Sequence, residues 1–190
     1  MPRSRSPIFS SRKKLSADPA PRGIRRCGPQ DAAALALVGA ATFLETYAWM
    51  IAGDDIVAHV RERHDTASYA TFLADPHCAL WIAEADRGAA IGFALLTPPD
   101  LPVETGPADA ELRRIYLLSR YQGGGAGKRL FAAVADEASA RGKKRLLIGV
   151  AKQNEKAIAF YQRQGAAIIG ERAFRVGDET FEDFVLALAL

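Results

Sequence analysis

Ile115-Tyr116-Leu117-Leu118, then Gln122-Gly123-Gly124-Gly125-Ala126-Gly127-Lys128, then Leu130-Phe131-Ala132-Ala133-Val134-Ala135: an apolar strand-like run, a glycine-rich turn and a helical run follow one another. A turn of this kind gathers free backbone N–H groups and the positive end of a helix dipole at one point. Such a point binds phosphate, so the stretch is read as the grip on a phosphorylated cofactor. Linker glycines rarely sit between a strand and an amphipathic helix this cleanly.

Spacing decides which cofactor. A Walker A loop would place its first glycine at 122 and a magnesium-binding hydroxyl at 129, where Gln122 and Arg129 stand. A dinucleotide fingerprint meets Ala126, Lys128 or Leu130, depending on frame, where its last glycine belongs. Both nucleotide readings fail on the residues that do the chemistry.

The pattern that fits is Gln/Arg-x-x-Gly-x-Gly/Ala, met by Gln122, Gly125 and Gly127. It resembles the acetyl-CoA pyrophosphate loop of the GNAT superfamily of N-acetyltransferases. Ala126 replaces the larger aliphatic usual between the last two glycines, and Gly123-Gly124 loosens the loop. The segment Asn154-Glu155-Lys156-Ala157-Ile158-Ala159-Phe160-Tyr161, closed by Gly165, resembles the second signature of the same family. The resemblance spans about residues 23–190. It implies an α/β fold with a mixed, mostly antiparallel sheet of about seven strands, helices on both faces and a splay between the fourth and fifth strands.

At 190 residues and 49% hydrophobic content, one domain with a sizeable core is expected. No apolar run approaches the ~18 residues of a membrane span, and the basic N-terminus lacks the apolar segment of a secretory signal. The two cysteines, Cys27 and Cys78, make no disulfide framework, which points to a reduced cytoplasmic protein. The histidines (His59, His64, His77) pair with no Cys-x-x-Cys, so no metal is expected. The net charge of +3 divides unevenly, residues 1–26 carrying +7 and the rest −4. A mildly acidic body suits a cationic substrate better than nucleic acid. Residues 1–22, rich in Ser, Pro and Arg, read as a disordered basic extension, and 23–190 as a single catalytic domain.

Along the chain, Gly23–Cys27 reads as a strand, and Asp31 as the N-cap of a helix from Ala32 to about Tyr47. Gly53-Asp54-Asp55 starts a second helix, and Thr66 to Leu73 forms a short one stopped near Pro76. A hairpin joins Ala79–Glu84 to Ala90–Leu96 through Asp86-Arg87-Gly88. A proline-rich loop leads to the strand Ala110–Leu118, the glycine loop and a helix ending at Gly142. Leu146–Val150 is continuously apolar, as in a strand covered on both faces. Strands Ala167–Phe174 and Thr180–Leu188 flank a turn at Val176-Gly177-Asp178-Glu179. The order is β-α-α-β-β-β-α-β-α-β-β.

Acetyl transfer from a thioester to an amine needs the amine deprotonated, the carbonyl oxygen stabilised and the thiolate protonated. The resemblance makes Glu111, on the strand entering the glycine loop, the candidate base, with Glu84 a weaker rival. It makes Tyr161 the candidate acid beside the CoA sulfur, and gives Asn154 a contact to pantetheine or the ordering of its loop. The pyrophosphate falls to Gln122, Gly123, Gly124, Gly125, Ala126, Gly127 and Lys128, and the pantetheine arm to the backbone of Leu117 and Leu118. Phe43, Tyr47 and Glu84 stand for the acceptor side, where Glu45, Glu84 and Glu111 together would attract a cationic amine. With no base beside either cysteine, direct transfer within a ternary complex is expected. The expected acceptor is a primary amine of a small molecule, a polyamine among the candidates. A peptide N-terminus or lysine, or a non-catalytic acyl-CoA sensor, are the alternatives, and a homodimer stays open.

Overall fold

The computed structural model describes residues 23–176 and 179–190. The basic extension 1–22 and the Gly177-Asp178 turn lie outside the described residues. The elements are β1 (Gly23–Arg26), α1 (Ala32–Tyr47), α2 (Gly53–Arg63), α3 (Thr66–Ala74), β2 (Ala79–Glu84), β3 (Ala90–Thr97), β4 (Asp109–Leu117), α4 (Ala126–Ala140), β5 (Arg145–Ala151), α5 (Glu155–Arg163), β6 (Ala167–Val176) and β7 (Glu179–Ala189). Three α-helices therefore separate β1 from β2, the short one expected at Thr66 to Leu73 among them, so the β-α-α-β order counts one too few. The third stands alone because Asp65 caps it, its carboxylate accepting the Ser68 amide at 2.7 Å.

One seven-stranded sheet runs in the order β1-β2-β3-β4-β5-β7-β6. Every pairing is antiparallel except β4 with β5. Alternation along the strands divides the core between two faces. On one face Leu130, Phe131 and Val134 of α4 pack on Leu96, Leu112 and Ile148. On the other, Leu35 and Val38 of α1 and Tyr69 of α3 pack on Leu80, Phe93 and Leu95. β5 is covered on both sides, as its apolar run requires, but with an asymmetry. Leu146 and Ile148 lie under the α4 layer, whereas Leu147 is sealed with Val185 by Leu101 of the proline-rich loop.

Asp31 does not cap α1. Its backbone is already helical, and its carboxylate instead accepts the Gly28 amide at 2.8 Å and grips the Arg25 guanidinium through both oxygens, each at 2.8 Å. That fork is the stronger use of a carboxylate than a single cap bond. It locks β1 to the start of α1.

Candidate active site

The site begins where the sheet divides. β4 and β5 pair only at Asp109↔Arg145, Ala110↔Leu146 and Glu111↔Leu147. Beyond Glu111 each strand continues to Leu117 or Ala151 while bonded only to its outer neighbour, β3 or β7. A notch therefore opens between them, lined by main-chain groups. Leu118 donates its amide to Ile91 O at 2.9 Å. Alternation in an antiparallel ladder then turns the N–H and C=O of Leu117, paired with Gly92, away from β3 and into the notch. The Leu117 carbonyl takes the Gln122 side-chain amide at 3.0 Å. Of the two residues expected to offer backbone to a ligand, Leu117 faces the notch and the amide of Leu118 does not.

Above the notch the glycine loop delivers the end of α4. Gly123 and Gly125 take φ of 83° and 80°, the left-handed region that only glycine enters cheaply. Gly125 occupies the N-cap position, so no side chain caps the helix. The first intrahelical bond runs from Arg129 N to Gly125 O at 3.1 Å. The amides of Ala126, Gly127 and Lys128 thus lack an intrahelical acceptor and add to the helix dipole at the mouth of the notch. Gln122 and Gly124 are exposed beside them, as is the Lys128 side chain. Asn154 caps α5, its side-chain oxygen accepting the Ala157 amide at 3.1 Å, and so fixes the helix that carries Tyr161.

Glu111 sits at the apex, the last paired residue of β4. It is 4% exposed, and one carboxylate oxygen accepts the Asp100 amide at 2.6 Å. Burial raises its pKa above 4.5, an effect the Asp100 amide and the charge of Arg113 only partly oppose. Tyr161 is buried among Phe131 and Phe160, lines the cleft, and its hydroxyl makes no hydrogen bond among the described residues. Burial raises the pKa of Tyr161, so it remains a proton donor across the physiological range. Glu111, Tyr161 and Leu117 open on one cleft with the glycine loop and Asn154.

Phe43 and Tyr47 line the same cleft from the end of α1. Phe43 stacks on His59 with centroids 4.2 Å apart, and the Tyr47 hydroxyl lies 3.4 Å from that of Tyr116. Burial, with the charge of Arg114, drives His59 down to about 4 and His64 to about 3, so both are neutral at pH 7. Glu45 joins them in the cleft lining, whereas Glu84 does not. Glu84 lies on β2 beside β1, outside the cleft lining, with its carboxylate accepting Arg25 Nε at 2.9 Å. Glu45 accepts the Ser119 amide at 2.8 Å and its hydroxyl at 2.7 Å, tying α1 to the chain after β4. Burial pushes the thiols of Cys27 and Cys78 up to about 12 and about 11, and neither lines the cleft.

Arg114, Arg172 and Asp183 are among the cleft residues that escaped the sequence. Asp183 shares the strand parity of fully buried Val185, an acid on an apolar face that an alternation count would have flagged. It pairs with Arg172 at 3.0 Å. The guanidinium of Arg172 reaches there across Gly149, where an added Cβ would come 2.6 Å from a guanidinium nitrogen.

The profile of the Acetyltransferase (GNAT) family matches residues 42–166. Proteins described as uncharacterized N-acetyltransferases in Mycobacterium bovis and Mycobacterium tuberculosis are each 34% identical over 160 residues, covering 84% of this chain and 98% of theirs. Among solved structures, the PaiA N-acetyltransferase from Thermoplasma acidophilum in complex with coenzyme A superposes with a TM-score of 0.70 at 22% identity, covering 88% of this chain and 98% of its own. A GCN5-related N-acetyltransferase from Rhodopseudomonas palustris gives 0.69 at 22% identity, covering 90% and 96%.

Proposed function

The chain belongs to the GNAT acetyltransferase family, and from that premise we propose that it acetylates the primary amine of a small molecule by direct transfer. Membership makes it an acyltransferase, with acetyl-CoA as the co-substrate that supplies the activated acetyl group. The observation that carries the reading is the uncapped first turn of α4 standing over the split between β4 and β5. Three unpartnered amides suit a pyrophosphate. The unpaired edge of β4 below them suits an extended, amide-bearing arm.

The roles follow from position. Glu111, buried and raised in pKa, accepts the proton of the incoming ammonium, directly or through a water. The Leu117 N–H, aimed into the notch, donates to the carbonyl oxygen as negative charge gathers there. As the carbon–nitrogen bond forms and the carbon–sulfur bond breaks, the Tyr161 hydroxyl gives its proton to the departing thiolate and is reprotonated, by way of water, by the second proton the nitrogen sheds on becoming an amide. Of the glutamates that would gather a polycation, Glu84 lies outside the cleft, and Glu45 within it is taken up by the Ser119 amide and hydroxyl. A single amine therefore fits the cleft better than a polyamine.

The test is release of free thiol from acetyl-CoA against a panel of small amines, polyamines and peptides. A small amine should lead in kcat/KM. Peptides outrunning every small amine would transfer the reading to protein acetylation. Tight CoA binding without thiol release would leave an acyl-CoA sensor.

A further inference from the structure

Three arginines on the sheet contribute to the cleft, and two of them are neutralised. Arg113 meets Asp100 at 3.0 Å and Arg172 meets Asp183 at 3.0 Å. Arg114 of β4 is different. Among the described residues no carboxylate comes within ion-pairing distance of it, and its Nη1 is buried without a hydrogen-bond partner. An uncompensated buried guanidinium nitrogen is costly, and native structures seldom leave one without a reason.

Its surroundings hold the cation in place without quenching it. The guanidinium carbon lies 5.6 Å from the Tyr69 ring centroid and 5.7 Å from that of Phe72, whose faces attract a cation, and the acceptor on this side is the neutral Tyr69 hydroxyl. Tyr69 is itself fixed, its hydroxyl 2.9 Å from His64 Nδ1 in a space kept open by Gly39. His59 and His64 are neutral, and the other cation lining the cleft on this side is Arg63 of α2, near enough to act on His59. Phe72, His59 and Arg114 line the cleft together with Tyr116, two residues along the same strand.

We propose that Arg114 is the anion-binding residue of the acceptor lobe and that the acceptor is an amino acid, its carboxylate on Arg114 and its amine toward Glu111. This rests on the acetyltransferase reading above and narrows its substrate class. A planar monoanion matches the guanidinium fork.

The experiment uses α- and ω-amino acids, each matched with its amide and its decarboxylated amine, assayed by thiol release. Wild type should favour the carboxylate member in kcat/KM by about tenfold or more, the scale of a charge-assisted fork. Arg114→Gln should abolish that preference while rates with the amides and KM for acetyl-CoA stay within about twofold. Arg114→Lys should recover part of the preference, and takes the place of Arg114→Gln if the latter fails to melt cooperatively. Equal use of acids and amides by wild type would overturn the proposal. So would an equal loss on both by Arg114→Gln, which would mark a structural role, or tighter binding of phosphonate analogues. If no amine is turned over, the acetyltransfer reading fails by itself. The anion site is then read by calorimetric titration of the amine-free carboxylic acids into CoA-loaded protein. Binding weakened about tenfold in Arg114→Gln supports the site, and no binding to wild type overturns it.

Discussion

Glu111→Gln separates chemistry from structure more sharply than any other change in this cleft. The amide keeps the size of the carboxylate and an oxygen for the Asp100 N–H now bound at 2.6 Å. Replacing a charged acceptor by a neutral one there costs about 1 kcal/mol. That loss is opposed by removal of a charge at a site only 4% exposed. At neutral pH the two terms leave stability within about 1 kcal/mol of wild type. The sign of the pH dependence is fixed by burial, which raises the carboxyl above 4.5 in the folded protein. A raised pKa contributes stability below the unfolded value and loses it as pH rises through the folded one. Relative to wild type, the glutamine variant should therefore gain stability between acid and neutral pH, measured by denaturant melts at pH 4 and pH 7. Activity should move the other way, with kcat falling about 10²- to 10⁴-fold, the scale of a positioned general base. The limb of kcat that rises with pH through the Glu111 titration should vanish. A kcat within about fivefold of wild type, with that limb intact, would refute Glu111 as base and leave the proton to water.

Tyr161→Phe should lower kcat more than about tenfold while changing CoA affinity less than about threefold, by steady-state kinetics and calorimetry. Gly125→Ala should cost about 1 kcal/mol in denaturant melts and weaken CoA binding, because φ of 80° is strained for any residue with a Cβ. Glu84→Gln should leave kcat/KM within about twofold, its carboxylate being held by Arg25 outside the cleft. A large kinetic loss there would return Glu84 to the acceptor side.

The fold was legible because its signals are local. The glycine loop, the Asn154 cap and the apolar run Leu146–Val150 each announce themselves within a few residues. The split between β4 and β5 was expected from the family resemblance. Its consequence at Leu117 and Leu118 depends on which residue of the ladder faces β3, and a one-residue phase is invisible without the pairing. The acceptor side was least legible. Glu45 and Glu84 carry the right charge, yet their partners, Ser119 and Arg25, come from distant parts of the chain: Arg25 holds Glu84 outside the cleft, and Ser119 occupies the Glu45 carboxylate within it. Arg114 was hidden by a register irregularity opposite Leu95 and Leu96, which breaks the alternation that would have assigned its face.

The three shared register positions between β4 and β5 also set the mechanics of the molecule. A leaf of four strands and a leaf of three meet along a spine reinforced by the Lys144 amide on Ala108 O at 2.7 Å and by the two-pronged clasp of Arg145 on Asp109. Each leaf is stiff, braced by its own antiparallel ladders, while the free margins are joined by no ladder at all. Main-chain bonds thereby join the leaves along one edge, like pages at a binding, while α4 packs across both. Whatever slides between the pages completes the hydrogen bonding that the sheet leaves open.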